Sequence, residues 1–297
     1  MKNIYLLLFL SYTYCVNSSP WIDNEDDFFR MNIESLIVEC NLSNIHSDSN
    51  PVSTSTVYKK LNEEISNETE TCFSKKDTFK KEIFKQYMDK KTYIGFQSKS
   101  SENYFQEIGK RYLPYSNFHY LTSDLRGNFF YQVKITHFEV DGKKKEIFDE
   151  SFIAFKKNNA IFSIGRISNW WSPSWDNSLI LSNSARPSAG ISVRNFESIK
   201  PSSNFVKKFL TSYNYNIFLN QLEKNRDYPR TNFLGNRFEF LLFNRLNFSI
   251  FRTAQFGGEG RNVNLKTIER VLSGKDTTNR NLLFDEQSGN QIAGIDF

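Results

Sequence analysis

Apolar residues recur at helical spacing over the first part of the chain, roughly residues 23–91. Phe29, Ile33, Leu36, Ile37 and Cys40 form one stripe, Val57, Leu61 and Ile65 a second, and Phe79, Ile83 and Tyr87 with Phe84 and Met88 a third. The spacing predicts short amphipathic helices in a small bundle. Asn50-Pro51 breaks the first from the second, and Ser53-Thr54-Ser55-Thr56 offers N-cap hydroxyls for the second. Past Tyr93 the period becomes two. Phe130, Gln132, Lys134, Thr136 and Phe138 fall on one face, with Tyr131, Val133, Ile135 and His137 on the other. Asp141-Gly142 and Asn158-Asn159 supply turns. Tyr213, Tyr215, Ile217 and Leu219 then alternate with Asn214, Asn216, Phe218 and Asn220, and Phe238, Phe240 and Leu242 answer Phe248 and Ile250 around a turn near Asn244-Arg245. Long alternating segments without intervening helices predict a mainly β fold of antiparallel hairpins. Two solvents suit the apolar face: lipid around an outer-membrane barrel, or the interior of a secreted β-sandwich.

Residues 1–18 read as an export signal. Lys2 gives a positive start, Ile4 to Leu10 an apolar stretch, and Val16-Asn17-Ser18 a small-residue cleavage site. That apolar stretch is too short to span a bilayer as a helix, and no later run reaches the ~20 residues required. Cys15 follows Tyr12-Thr13-Tyr14, a poor lipoprotein signal. Two cysteines remain after cleavage, and an even count in an exported chain predicts a Cys40–Cys72 disulfide. Isolated His46, His119 and His137 give no ligand spacing for a metal, and no cofactor motif is present.

Composition sharpens the choice of solvent. Aromatic residues make up 16% of the chain, with 29 Phe and 14 Tyr, yet the mean hydropathy is −0.53. A barrel with lipid-facing aromatics and a polar lumen has that mixture. Abundant Asn, Lys and Ile also suit an AT-rich genome, so composition alone does not decide. The net charge of +5 comes from scattered Lys pairs and the Lys143-Lys144-Lys145 run. No basic stripe interleaves with stacking aromatics, which argues against nucleic acid.

Three of the four Trp residues fall within six positions, Trp170, Trp171 and Trp175, flanked by Arg166, Asp176 and Arg186. The full run is Gly165-Arg166 through Trp170-Trp171, Pro173, Trp175-Asp176 and Ser178-Leu179-Ile180-Leu181-Ser182-Asn183 to Ala185-Arg186-Pro187. It resembles the signature of the Wzi family of outer-membrane capsule-assembly proteins, departing at Ser172, Ser174 and Ser184. A second block, Arg252-Thr253-Ala254-Gln255-Phe256-Gly257-Gly258-Glu259-Gly260-Arg261, is similar to that family's Gly-rich segment, with Phe256 where Trp is usual.

The resemblance implies an outer-membrane β-barrel over residues 93–297 behind a periplasmic helical bundle over residues 19–92. It also implies a non-enzymatic, lectin-like role in holding capsular polysaccharide at the cell surface, with outer-membrane lipid and lipopolysaccharide around the barrel. About 200 residues after Tyr93 supply only about eight to ten strands, where the family builds about eighteen. A truncated member of the family is therefore expected, a small complete barrel being the alternative.

The site residues carry two readings. Trp170, Trp171 and Trp175 could stack on sugar rings while Arg166, Arg186, Arg252 and Arg261 pair with uronic carboxylates, or the same groups could fill the lumen, with Asp176 and Glu259 as partners of the arginines. Asp176 and Glu259 as glycosidase carboxylates, and a porin-like channel tuned by the arginines, are the competing functions. Gly257-Gly258 and Gly260 suit a tight loop rather than a phosphate cradle.

Overall fold

The computed structural model describes residues 20–22, 32–33, 35–36, 49–62, 70–83, 91–97, 117–126, 128–140, 142–173, 178, 180–181, 186–274 and 289–297. The signal-like segment lies outside these residues. Near the N-terminus, helix α1 spans Thr54–Leu61 and helix α2 spans Glu70–Ile83. Ser53 caps α1, its hydroxyl accepting from the Thr56 N–H at 3.3 Å, as the hydroxyl run predicts. Val57 and Leu61 of the second apolar stripe are buried, as are Ile33, Leu36 and Phe79 of the others. The third stripe beyond Ile83 falls outside the described residues. Cys72 of α2 is disulfide-bonded, and its expected partner, Cys40, is also outside them. With that pairing, a loop of about 32 residues is closed and the bridge contributes about 3–4 kcal/mol. Free-thiol labelling of the denatured, unreduced mature protein should then find no reactive thiol. Two reactive thiols would refute the pairing.

The alternating segments form one antiparallel sheet in which sequence neighbours are spatial neighbours. Its strands are β2 (Lys91–Gln97), β3 (Asn117–Arg126), β4 (Phe129–Val140), β5 (Lys143–Ile147), β6 (Phe152–Lys157), β7 (Ala160–Arg166), β9 (Ala189–Asn195), β10 (Leu210–Gln221), β11 (Asn232–Leu242), β12 (Leu246–Phe256) and β13 (Gln291–Asp296). The order across the sheet runs from β2 through β3, β4, β6, β7, β9, β10, β11 and β12 to β13, with β5 beside β4. Among the described residues the sheet is open, with β2 and β13 at its edges. Strands β1 (Ser49–Asn50) and β8 (Trp170–Trp171) pair separately.

Register confirms the period of two. Asn214 faces Glu239, Asn216 faces Arg237 and Phe218 faces Gly235 on the inner side, while Tyr213 meets Phe240 and Tyr215 meets Phe238 on the outer side. The outer face is apolar and open: Ile94, Phe96, Phe129, Ile153, Phe162 and Ile164 are all exposed. The inner face is filled. Trp21 packs on Phe152 with ring centroids 4.5 Å apart, in a cluster with Phe130, Ala154, Ile161 and Ile167. Arg194 places its guanidinium 5.0 Å from the Trp21 ring and donates to the Pro51 carbonyl at 3.2 Å.

The two ends of the sheet differ. At one end β3 meets β4, short turns at 158–159 and 243–245 join β6–β7 and β11–β12, and the 196–209 connection there receives α1, with Lys59 bound to Glu197 at 3.0 Å. The opposite end carries the long connections 167–188, 222–231 and 257–290. One element departs from the sequence reading: helix α3 (Leu265–Ser273) lies in the connection between β12 and β13, within the residues 93–297 expected to supply barrel strands. It has a capping box between Asn264 and Thr267 and ends on Gly274 in the left-handed region.

Candidate functional site

The site is built where the strand formed by β5 and β6 breaks, at residues 148–151. Glu150 adopts φ 61° there, and the Ser151 hydroxyl accepts from the Lys134 N–H and donates to the Lys134 carbonyl. A break of this kind turns side chains out of the ladder toward a site. Asp149 and Glu150 are so turned. Asp149 accepts a two-pronged pair from Arg186 Nε and Nη2, both at 2.9 Å. Glu150 accepts from the N–H and hydroxyl of Ser168. Two acids therefore pin both ends of the 167–188 connection. Gly165 is required just before it: the chain passes so close to Ser151 and Phe152 that any Cβ would overlap their backbone. Arg166, next in line, donates to the Ser151 carbonyl through its N–H and to the Pro187 carbonyl through its guanidinium.

The pinned connection folds inward over the sheet. Trp170 and Trp171 form β8 against β1, and both are buried. Trp171 lies 5.5 Å from Phe218 in a cluster with Phe251, Ile180 and Leu181. In this arrangement no sugar ring reaches Trp171. Asn169 Oδ1 accepts from Arg194 Nη2 and Asn216 Nδ2, fixing the connection to the inner face. Trp175 and Asp176 lie outside the described residues.

Between this connection and the ends of β10, β11 and β12 lies a cavity of about 200 Å³, lined by Asn169, Arg186, Phe218, Asn220, Arg226 and Phe233 among others. Phe218 and Phe233 lie 5.4 Å apart in its floor. Beside it, Arg226 Nε binds Glu223 at 2.7 Å. Partial burial pushes the Glu223 carboxyl up, but the Arg226 hydrogen bond, its own backbone, and the charges of Arg226 and Arg166 outweigh that and leave it below the usual range. On Arg186 the Asp149 hydrogen bond outweighs desolvation, so the guanidinium holds its proton more tightly than usual. Further along the same end, Arg230 pairs with Glu259 at 3.6 Å and Arg261 lies 3.9 Å from the Tyr228 ring. Positive φ at Gly257, Gly258 and Gly260 makes this loop tight, as the glycine block predicts.

Arg166, Arg186, Glu259 and Arg261 are thus brought to one end, but the acids that hold the arginines are Asp149 and Glu223 in addition to Glu259. Arg252 is elsewhere. It sits on the outer face of β12 and donates to the Val271 and Leu272 carbonyls at the end of α3 and to Gln291. Sequence reasoning missed Arg226, Arg230 and Tyr228. Their signal was the polar, proline-containing stretch Glu223 to Arg230 between two alternating segments. Among the described residues no group of three or more His, Cys, Asp or Glu could hold a metal ion.

The family model for capsule assembly protein Wzi matches residues 87–297. The chain belongs to the Wzi family. An uncharacterized 55.8 kDa protein from the cps region of Klebsiella pneumoniae is 31% identical over 144 residues, covering 48% of this chain and 28% of that protein. A solved Wzi from Escherichia coli, described as an outer-membrane protein involved in group 1 capsule assembly and a carbohydrate-binding β-barrel, superposes with a TM-score of 0.74 at 19% identity. That match covers 93% of this chain and 58% of the Escherichia coli chain. The Wzi match establishes the β fold of this chain, which spans little more than half the length of that structure.

Proposed function

We propose that this Wzi-family protein is an outer-membrane capsule-assembly factor that binds capsular polysaccharide at the loop-rich end of its sheet. The supporting observation is the cavity at that end, with aromatic rings in its floor and Arg and Asn side chains around them. Such a lining suits a carbohydrate, whose C–H faces pack on aromatic rings while its hydroxyls and carboxylates take polar partners. The open apolar outer face suits lipid, including lipopolysaccharide, and long connections mark the extracellular side of outer-membrane barrels. The α1 end then faces the periplasm, with α1 and α2 belonging to a periplasmic bundle after removal of residues 1–18. Arg186 is held by a carboxylate through two prongs and Arg226 through one, and a uronic acid presents the same group.

A channel is the weaker reading, because Trp21 and the Trp170-Trp171 strand occupy the inner face. Arg226→Ala should weaken binding of an acidic capsular polysaccharide about ten-fold, the loss of one charge-assisted contact. Its exposed pair with Glu223 implies a stability change within about 1 kcal/mol. Binding of purified polysaccharide, compared with an Arg245→Ala control at the opposite end, checks this. Equal affinity in wild type, Arg226→Ala and Arg245→Ala would place the ligand elsewhere.

A further inference from the structure

Helix α3 packs on the outer face of the sheet, not inside it: Val271 is buried against Ala254 and Phe256 of β12, with Leu234 beside them. Arg252 receives its C-terminal end. At 100° per residue, Leu265, Ile268 and Leu272 fall within a sector of about 60° that adjoins the Val271 edge. All three are open, at 85%, 41% and 67% exposure. Lys266, Glu269, Arg270 and Ser273 occupy the next sector round, away from Val271. The helix therefore has a sheet-facing edge, an uncovered apolar stripe and a charged face.

Its position says what covers the stripe. Below it the outer surface is lipid-suited, with Phe238, Phe240, Phe248 and Ile250 in register. At the level of its C-terminus the outer face turns polar, where Arg252 is paired with Asn236. Beyond that polar row, whose Arg252 holds the helix end, α3 adds a second apolar surface, and Lys266 and Arg270 lie on its charged face.

We infer that α3 is a lipid-anchoring collar: its apolar stripe enters the acyl-chain boundary of the outer leaflet while Lys266 and Arg270 meet the anionic phosphates of the surrounding lipid. Interfacial helices have this division, with the apolar side a few ångströms into the acyl boundary and long cationic side chains reaching back to the headgroups. The inference rests on the reading that the strands span a membrane. It assigns α3 the depth and orientation of the loop-rich end relative to the bilayer, which also holds the carbohydrate cavity at the surface.

The test uses the full-length gene product reconstituted in phosphatidylcholine–phosphatidylglycerol vesicles. An environment-sensitive fluorophore is placed through Leu272→Cys, with Phe162→Cys on the exposed strand face as reference and the unsubstituted protein as labelling blank. Spin-labelled lipids carry the quencher either near the headgroup or at the end of the acyl chain. The Leu272 fluorophore should lose about two-fold in intensity with the shallow quencher and little with the deep one, as an interfacial depth requires. The Phe162 fluorophore should respond to the deep quencher. If Phe162 is quenched and Leu272 is not, another protein surface or water covers the helix and the collar is refuted while the barrel reading stands. If neither is quenched, the strands do not span and both fall.

Discussion

Arg237→Leu is expected to lower the unfolding free energy by about 3–5 kcal/mol, because it removes the counter-charge of the buried Glu239 and the largely buried Asp296. The Arg237 side chain is fully buried on the inner face of β11. Its Nε donates to Glu239 at 2.9 Å, Nη1 to Asp296 at 2.9 Å and Nη2 to Ser249 at 2.9 Å, and its guanidinium lies 5.1 Å from the Phe251 ring. One side chain therefore ties β11, β12 and β13 together. Leucine fills part of the space but supplies no donor. Arg237→Lys keeps the charge and loses the planar fork, so an intermediate cost is expected. Replacing Arg237, Glu239 and Asp296 together by uncharged residues should recover most of the loss, since no buried charge is then left alone. Urea unfolding followed by tryptophan fluorescence checks the series through its midpoint at constant slope. A shift below about 1 kcal/mol for Arg237→Leu would mean that water, not Arg237, compensates the two acids.

Trp171→Ala should cost about 3–5 kcal/mol, the range for removing a large buried aromatic side chain. Trp171 is 1% exposed and packs between the folded-in connection and Phe218. Alanine would open a void where the connection meets the inner face, loosening the floor beside the cavity. Trp171→Phe should cost much less, because the indole Nε1 has no hydrogen-bond partner to lose. The same variants separate packing from carbohydrate stacking. If Trp171 is packing, capsule retention by cells falls only in step with the amount of folded protein, and Trp171→Phe retains both. A Trp171→Ala protein that unfolds at the wild-type urea concentration yet no longer binds polysaccharide would show that Trp171 turns outward to the ligand.

The strand region was legible because an antiparallel sheet with two different solvents writes itself in a period of two. Tyr213 and Tyr215 against Asn214 and Asn216 needed no tertiary information, nor did the turns at Asn158-Asn159 and Asn244-Arg245. The Ser53 cap and the Val57 and Leu61 stripe were legible for the same reason, since both are set by neighbours within one helical turn. Helix α3 was overlooked although its spacing is regular: Leu265, Ile268, Val271 and Leu272 recur at i, i+3, i+6 and i+7 between the Asn264 cap and Gly274. What the pattern did not give is its place, since only the wall of β12 separates the packed Val271 edge from the open residues beside it.

Local pattern by itself determined the period of each segment, the faces of the strands, and the tight glycine loop at Gly257-Gly258 and Gly260. It also identified the Trp-rich block as exceptional. Only the tertiary structure decided what that block does. Asp149 and Glu150, at the head of β6 and so beside the strand that leads into the block, pin the connection so that Trp171 meets Phe218 and Phe251. Arg166 and Arg186 share the loop-rich end with Arg226 and Arg230, while Arg252, equally basic and in an equally conspicuous motif, is carried to the outer face. Charge and aromaticity are properties of a residue. Whether a guanidinium meets a carboxylate, a carbonyl at a helix end or an open cavity depends on which strands the register brings beside it, and those pairings join residues dozens of positions apart.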